Sequence, residues 1–177
     1  MSIIEERRSI RKFTEQSLDE EQISQLIAKT AYAPSWKNCQ PIRYIAVCDA
    51  ALKQKVAQEC VMGFAGNQAI IENCPVLIVE TIVHGRSGFE RDGSYSTTKE
   101  DRWEVFDAGI AAQTLCLAAQ EMGLGTVIMG IFDEQKLAET VGIPEGQIAA
   151  ALIAVGYPDI RPQAPRRKTV EDLLVIR

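Results

Sequence analysis

A chain of 177 residues with 46% apolar and 24% charged residues fits one folded domain, residues 1–177, with a core of its own. No run approaches the ~20 apolar residues of a membrane span, and Glu5 and Glu6 precede any apolar run, which is not the pattern of a signal peptide. The net charge of −5 is unevenly spread: residues 1–13 carry four Lys/Arg against two Asp/Glu, residues 161–177 carry five against two, and residues 14–160 are left with −10. Cations gathered at both ends of an acidic chain point to a local anion site, since a nucleic-acid surface requires a broad basic patch.

In chain order, the basic run Arg7-Arg8-Ser9-Ile10-Arg11 comes first. Ser17-Leu18-Asp19-Glu20 reads as a capping box, with Ser17 as N-cap, and opens a helix whose apolar face is Ile23, Leu26, Ile27 and Ala31. Ala33-Pro34 ends it. Residues 42–48 predict a strand, and Asp49 starts a helix running to about Cys60. The β-branched run 75–83, opened by proline, predicts a buried strand. Residues 84–102 are polar and patternless, as in functional lids or disordered segments. Residues 103–122 predict the strongest helix, apolar or small nearly all round and hence buried on most sides, with Gly123 as its C′ residue. Gly109 inside it costs about 1 kcal/mol relative to alanine, which suggests close approach of another backbone. A strand over 125–131, a short helix over 133–141 begun by Asp133, and a strand over 148–157 follow. In the last of these the alanines 149–151 favour helix, whereas Ile153, Val155 and the Gly156-Tyr157-Pro158 stop favour strand. Three prolines extend the tail from 158 to 169, and Val170 to Ile176 reads as a final strand. Gly123-Leu124-Gly125 precedes a strand, so it is not a dinucleotide fingerprint, and the fold class read from this order is α+β.

Five cysteines, an odd number without a CxxC pair, fit free thiols in a reducing cytoplasm. His84 is the sole histidine, so a His-based metal cage is excluded and any Ser-His or Cys-His catalytic unit would have to use it. Arg7, Arg8, Ser9 and Arg11 lie close enough to converge on one anion, because guanidinium forks bind phosphate bidentately. A solvated basic run is the competing reading. Pro34, Ser35, Asn38, Gln40 and Pro41 stand before a strand, with groups suited either to the edge of a heterocycle or to a self-capped turn. Trp36 among them reads as packing. In an extended tail Arg166 and Lys168 would point one way and Arg167 the other.

Taken together these segments resemble the FMN-dependent nitroreductase family, the flavin reductase and NADH oxidase group. The resemblance spans nearly the whole chain: RRSIRKF at the start, PSWKNCQP before the first strand, and Ala65-Gly66-Asn67-Gln68 before the second. It continues through Asp107-Ala108-Gly109-Ile110-Ala111-Ala112-Gln113, Gly123-Leu124-Gly125-Thr126, Gly156-Tyr157-Pro158 and the basic PRRK tail.

The resemblance implies a central, largely antiparallel sheet flanked by helices, in a homodimer with FMN at the subunit interface and the C-terminal tail reaching onto the partner. It implies that Arg7, Arg8 and Ser9 hold the FMN phosphate and ribityl chain, that Arg11 sits near the N1–O2 edge, and that one of Arg166, Arg167 and Lys168 closes on the phosphate. Pro34, Ser35 and Asn38 would come from the partner, Asn67 would bond the pyrimidine edge, and Met129 and Gly130 would back the ring through main-chain groups. No protein group need be catalytic, because the cofactor carries the chemistry. Hydride from NADH or NADPH would pass to flavin N5 and then, in ping-pong fashion, to a small-molecule acceptor: a nitroaromatic, a quinone or a flavin. A non-catalytic FMN-binding or flavin-sensing protein is the alternative on the same scaffold, and another flavin chemistry a third. The chain is at the short end for the family, so residues 84–102 are expected to be a reduced lid. Met129-Gly130-Ile131 replaces the acidic residue or paired glycines found in many members beside N5.

Overall fold

The computed structural model describes residues 2–177. Four antiparallel strands form one sheet in the order β1-β2-β4-β3: β1 Ile42–Val47, β2 Val76–Val83, β3 Gly125–Met129 and β4 Gln147–Gly156. The helices are α1 Ile3–Glu6, α2 Glu20–Thr30, α3 Ala50–Lys55 continuing as a π turn over Val56–Cys60, α4 Ala65–Asn73, α5 Arg102–Glu121, α6 Glu134–Val141 and α7 Val170–Leu173. No described helix is long and apolar enough to cross a membrane.

The two central strands are buried on both faces, which is why 76–83 reads as an apolar, β-branched run broken only by Glu80 and Thr81. Leu77, Val79, Leu152 and Ala154 pack with Leu137 of α6 and Ile71 of α4. Val76, Ile78, Ile153 and Val155 pack on the opposite face with Leu26 of α2 and Leu115 of α5. Pairing on both sides makes 147–156 a strand despite its alanines: Ile153 stands opposite Ile78 on one side and Ile128 on the other.

The structure corrects several readings of the sequence and adds a helix that the sequence did not suggest. The N-cap of α2 is Asp19, not Ser17. Its carboxylate accepts from Gln22 N–H at 2.7 Å, and Asp19 N–H donates back to Gln22 Oε1 at 3.1 Å. Leu18 and Ile23, placed as a hydrophobic staple, share one apolar cluster, and that burial sets the helix start two residues later. Ala31 is consequently the exposed C-cap rather than part of the apolar face. Residues 65–73 form α4, which carries Asn67. Val170 to Ile176 is not a strand of this sheet. Thr169 and Asp172 cap the short helix α7 instead, and no neighbouring strand offers it a ladder. Finally, α5 is not covered all round: Val105, Phe106, Gly109 and Gln113 are exposed along one side, and a Cβ at Gly109 would meet no atom within 4 Å. At its end Gly123 adopts φ 75°, the left-handed C′ conformation, and Leu124 N–H donates to Ala119 O at 2.8 Å.

One polar side chain interrupts the apolar face toward α5. Glu80, in the middle of β2, is 1% exposed, and its Oε1 has no hydrogen-bond partner. Burial pushes its carboxyl from 4.5 up to about 8. The native state therefore holds a proton that the unfolded chain releases above about 4.5, and stability falls as pH climbs from there to about 8. The limit of that loss is about 5 kcal/mol. Glu80→Gln is expected to melt at nearly the same temperature as the parent near pH 4.5 and at least about 3 °C higher near pH 9, read by calorimetry. Equal melting temperatures at alkaline pH would show that Glu80 is not held neutral.

Candidate functional site

The outer edge of β3 is paired with the chain's own N-terminal arm. Ser9 bridges Thr126 in parallel, and Ile10 N–H donates to Thr126 O at 2.9 Å. Gly125 permits this, because a Cβ there would lie 2.5 Å from the Ile10 side chain. Farther along, Thr14 N–H donates to Tyr157 O at 2.9 Å and Asp159 N–H to Lys12 O at 3.1 Å. The arm is thus fixed against β3 and against the residues following β4, and the C-terminal tail leaves the fold beside Lys12.

Arg7 and Ser9 of the arm, Gln113 and Cys116 of α5, and Thr126–Ile128 of β3 line a pocket of about 180 Å³. The three arginines are used differently. Arg8 donates to the carbonyls of Glu5 and Arg7 at 2.6 and 2.8 Å. Arg11 reaches only Ser9 O, at 3.4 Å, and is exposed. The Arg7 side chain makes no hydrogen bond or ion pair among the described residues, so its guanidinium fork is open to an anion. Burial raises the Cys116 thiol above its usual range, with the Arg7 cation acting in the opposite sense.

Asn67 stands at the other end of the same strand. It is buried in the first turn of α4, and its Nδ2 donates to Ile131 O at 3.3 Å. The Met129 side chain lies in the core with Leu137 and Leu152, so it offers the edge only main-chain groups. Gly130 follows it, exposed, with nothing within 4 Å of where a Cβ would stand. From Thr126 to Ile131 an extended chain spans about 17 Å. The edge therefore carries an open cation and a hydroxyl at one end, and a side-chain amide with open main chain at the other.

The loop with Pro34, Ser35 and Asn38 lies elsewhere in the protomer. Trp36 N–H donates to Asp107 Oδ2 at 2.9 Å, Ser87 Oγ–H donates to the same oxygen at 2.7 Å, and Trp36 packs on Trp103 with ring centroids 4.8 Å apart. Gln40 N–H donates to Ser35 Oγ at 3.0 Å. Lys37, Asn38 and Gln40 all have positive φ, at 45°, 54° and 46°. Three such residues strain a loop unless its surroundings over-determine it, and such strain gathers at functional sites. The loop borders a second cavity of about 590 Å³ between α2, β1 and α5. Its lining includes Pro34, Ser35, Ile42, Tyr44 and Ile78, and none of it belongs to the smaller pocket.

Arg166, Arg167 and Lys168 are exposed and make no hydrogen bond or ion pair among the described residues. So the structure brings together Arg7 and Ser9, places Asn67, Met129 and Gly130 farther along the same edge, and leaves Pro34, Ser35, Asn38 and the tail cations apart from it. Gln113, Cys116 and Thr126 escaped sequence reading as pocket residues, because only the arm–β3 pairing makes them neighbours of Arg7. Asp107 carried a signal, an acid on the largely apolar stretch of its helix. Among the described residues no group of three or more His, Cys, Asp or Glu could hold a metal ion.

A family model described as the Nitroreductase family matches residues 4–157. The NADPH-flavin oxidoreductase of Vibrio harveyi is 32% identical over 163 residues, covering 90% of this chain and 66% of that protein. The "FMN reductase [NAD(P)H]" of Bacillus subtilis is 29% identical over 86% of this chain and 63% of its own length, so the chain spans just under two thirds of these two relatives. A crystal structure of a nitroreductase family protein from Clostridium novyi superimposes with a TM-score of 0.74 at 30% identity, over 89% of this chain and 83% of that one.

Asp107 is 3% exposed and holds both the 34–41 loop and Ser87. Asp107→Ala would strand the Trp36 N–H and the Ser87 hydroxyl. The expected loss is about 2–3 kcal/mol of stability, with a red shift of tryptophan emission as the Trp36–Trp103 contact opens. Denaturant unfolding followed by fluorescence checks both, and an unshifted spectrum would mean the loop is held by other contacts.

Proposed function

The chain belongs to the nitroreductase family, and from that premise we propose that it is an FMN-dependent oxidoreductase acting as a homodimer. The observation that carries the reading is the β3 edge, with the open Arg7 guanidinium and Ser9 at one end and Asn67 and Gly130 at the other. Arg7 and Ser9, with Arg8 nearby, suit a phosphate and ribityl chain, while Asn67 and the main chain at Met129–Gly130 suit a ring edge bearing amide-like groups. Arg11, exposed beside Ser9, supplies positive charge for the N1–O2 edge. When bound, FMN supplies the redox chemistry, accepting hydride from NADH or NADPH at N5 and giving electrons to a nitroaromatic, quinone or flavin acceptor in a ping-pong cycle. The protein's part is to bind, orient and stabilise developing charge.

What the protomer leaves uncovered supports the dimer. An exposed stripe on α5 carries Val105, Phe106 and Gly109, and the apolar tail side chains Leu173, Val175 and Ile176 are 72%, 76% and 86% exposed. The cavity beside β1 is the place where a partner's tail buries those side chains, and an isologous two-fold arrangement fills both grooves at once. In that arrangement Pro34, Ser35 and Asn38 of the partner subunit complete the cofactor wall, and Arg166, Arg167 or Lys168 closes on the phosphate. All five cysteines are free thiols, which suits a cytoplasmic enzyme.

The purified protein is expected to be yellow and to bleach anaerobically with NADH or NADPH. Yellow protein that neither nicotinamide reduces would favour the non-catalytic flavin-binding alternative. Arg7→Ala should weaken FMN binding about tenfold or more, measured by flavin fluorescence quenching. Deleting residues 164–177 should release FMN and convert the dimer to monomer in light scattering. A truncated protein that stays dimeric and flavin-loaded would place the tail outside the site.

A further inference from the structure

Glu80 has no structural justification in this fold. It lies in the most buried strand, its Oε1 has no hydrogen-bond partner among the described residues, and no cation offsets it, since desolvation is the cause of its raised proton affinity. A well-packed apolar residue there would be more stable. Buried groups that break a local rule without compensation tend to mark function.

Its place in the sheet says what that function acts on. Tyr44 stands opposite Glu80 on β1 and Ala151 opposite it on β4, so the three share a face. Ala151, like Ile78, belongs to the apolar cluster packed against α5, which puts Glu80 under that helix. β3 ends with Met129 opposite Leu152, so Gly130 leaves the strand beside Ala151. With strands about 4.8 Å apart, Glu80 is about 10 Å from Gly130. The buried positions of α5 between Asp107 and Leu115, the helix packed on this face, are the small residues Ala108, Ala111 and Ala112. The pairing is irregular between Glu80 and Thr81, and bulges of this kind re-aim side chains beside active sites.

We propose that the charge of the buried Glu80 carboxyl is coupled to the electron load of the flavin that would bind along β3. The inference rests on the FMN reading given above. Glu80 itself is not catalytic. It acts through the field across Ala151, in a medium where charge is poorly screened. Hydride transfer leaves negative charge on the ring, and the proton already on Glu80 keeps a second negative charge out of the same interior. The coupling is reciprocal: an ionised Glu80 opposes reduction, and a reduced ring tightens the hold of Glu80 on its proton. The titratable groups facing it are Tyr44 from β1 and Cys116 from α5, both raised chiefly by burial and so neutral at physiological pH. Glu104 and Asp107 on α5 are engaged by His84 and Gly85 and by Trp36 and Ser87, respectively. β4 presents only Ala151.

The test compares anaerobic redox titrations of the FMN-loaded protein and Glu80→Gln between about pH 6.5 and about pH 9.5. The parent's midpoint potential should fall more steeply with pH, with a break near 8 that Glu80→Gln lacks. Superimposable profiles from two yellow proteins overturn the proposal. An infrared reduced-minus-oxidised spectrum of the unsubstituted protein near pH 8 gives a second readout that does not depend on a variant folding. It should show a gain in the protonated-carboxyl band, and no gain overturns the proposal equally. A colourless protein that takes up no added FMN would instead overturn the cofactor reading, and this inference with it.

Discussion

The pairing of the N-terminal arm with β3 is the contact on which the candidate site depends. It uses few interactions: the Ser9–Thr126 bridge, the Ile10 N–H to Thr126 O bond, and the absence of a side chain at Gly125. These place Arg7 over α5 and cover an edge that would otherwise present unpaired main-chain groups. The arm's further bonds to Tyr157 and from Asp159 root the tail at the same place. The two basic ends of an acidic chain therefore start from one corner of the sheet.

The two edges of the sheet are treated differently. At β3 the chain supplies its own cover. At β1 it leaves a groove, and next to that groove α5 leaves an apolar stripe. A protomer with exposed apolar faces and an extended apolar tail suits the proposed two-fold arrangement, in which each face is covered by the other's tail. The same asymmetry would divide the proposed cofactor wall. The 34–41 loop is held by Asp107 on the β1 side, so within one protomer it cannot meet Arg7.

The buried acids sort by how they are satisfied. Glu104 and Asp107 each accept two hydrogen bonds and pin loops to α5. Glu80 accepts none at Oε1 and stays neutral by holding its proton. A satisfied buried carboxylate is a structural fastener, whereas an unsatisfied one is a reservoir whose charge responds to its surroundings.

The strands 42–47 and 76–83, the helix over 102–121 and the basic ends were legible in the sequence because each is a local pattern: apolar period, β-branched content, charge. The motif set also announced the family, since its members are spaced along nearly the whole chain. Boundaries set by burial were not legible, as when Leu18 moved the N-cap from Ser17 to Asp19. Nor was the state of Val170 to Ile176, because a strand needs a neighbour and the sequence does not say whose. Which site residues share an edge and where Glu80 points were decided by strand register. Register joins residues separated by tens to more than a hundred positions, and no local pattern encodes that distance.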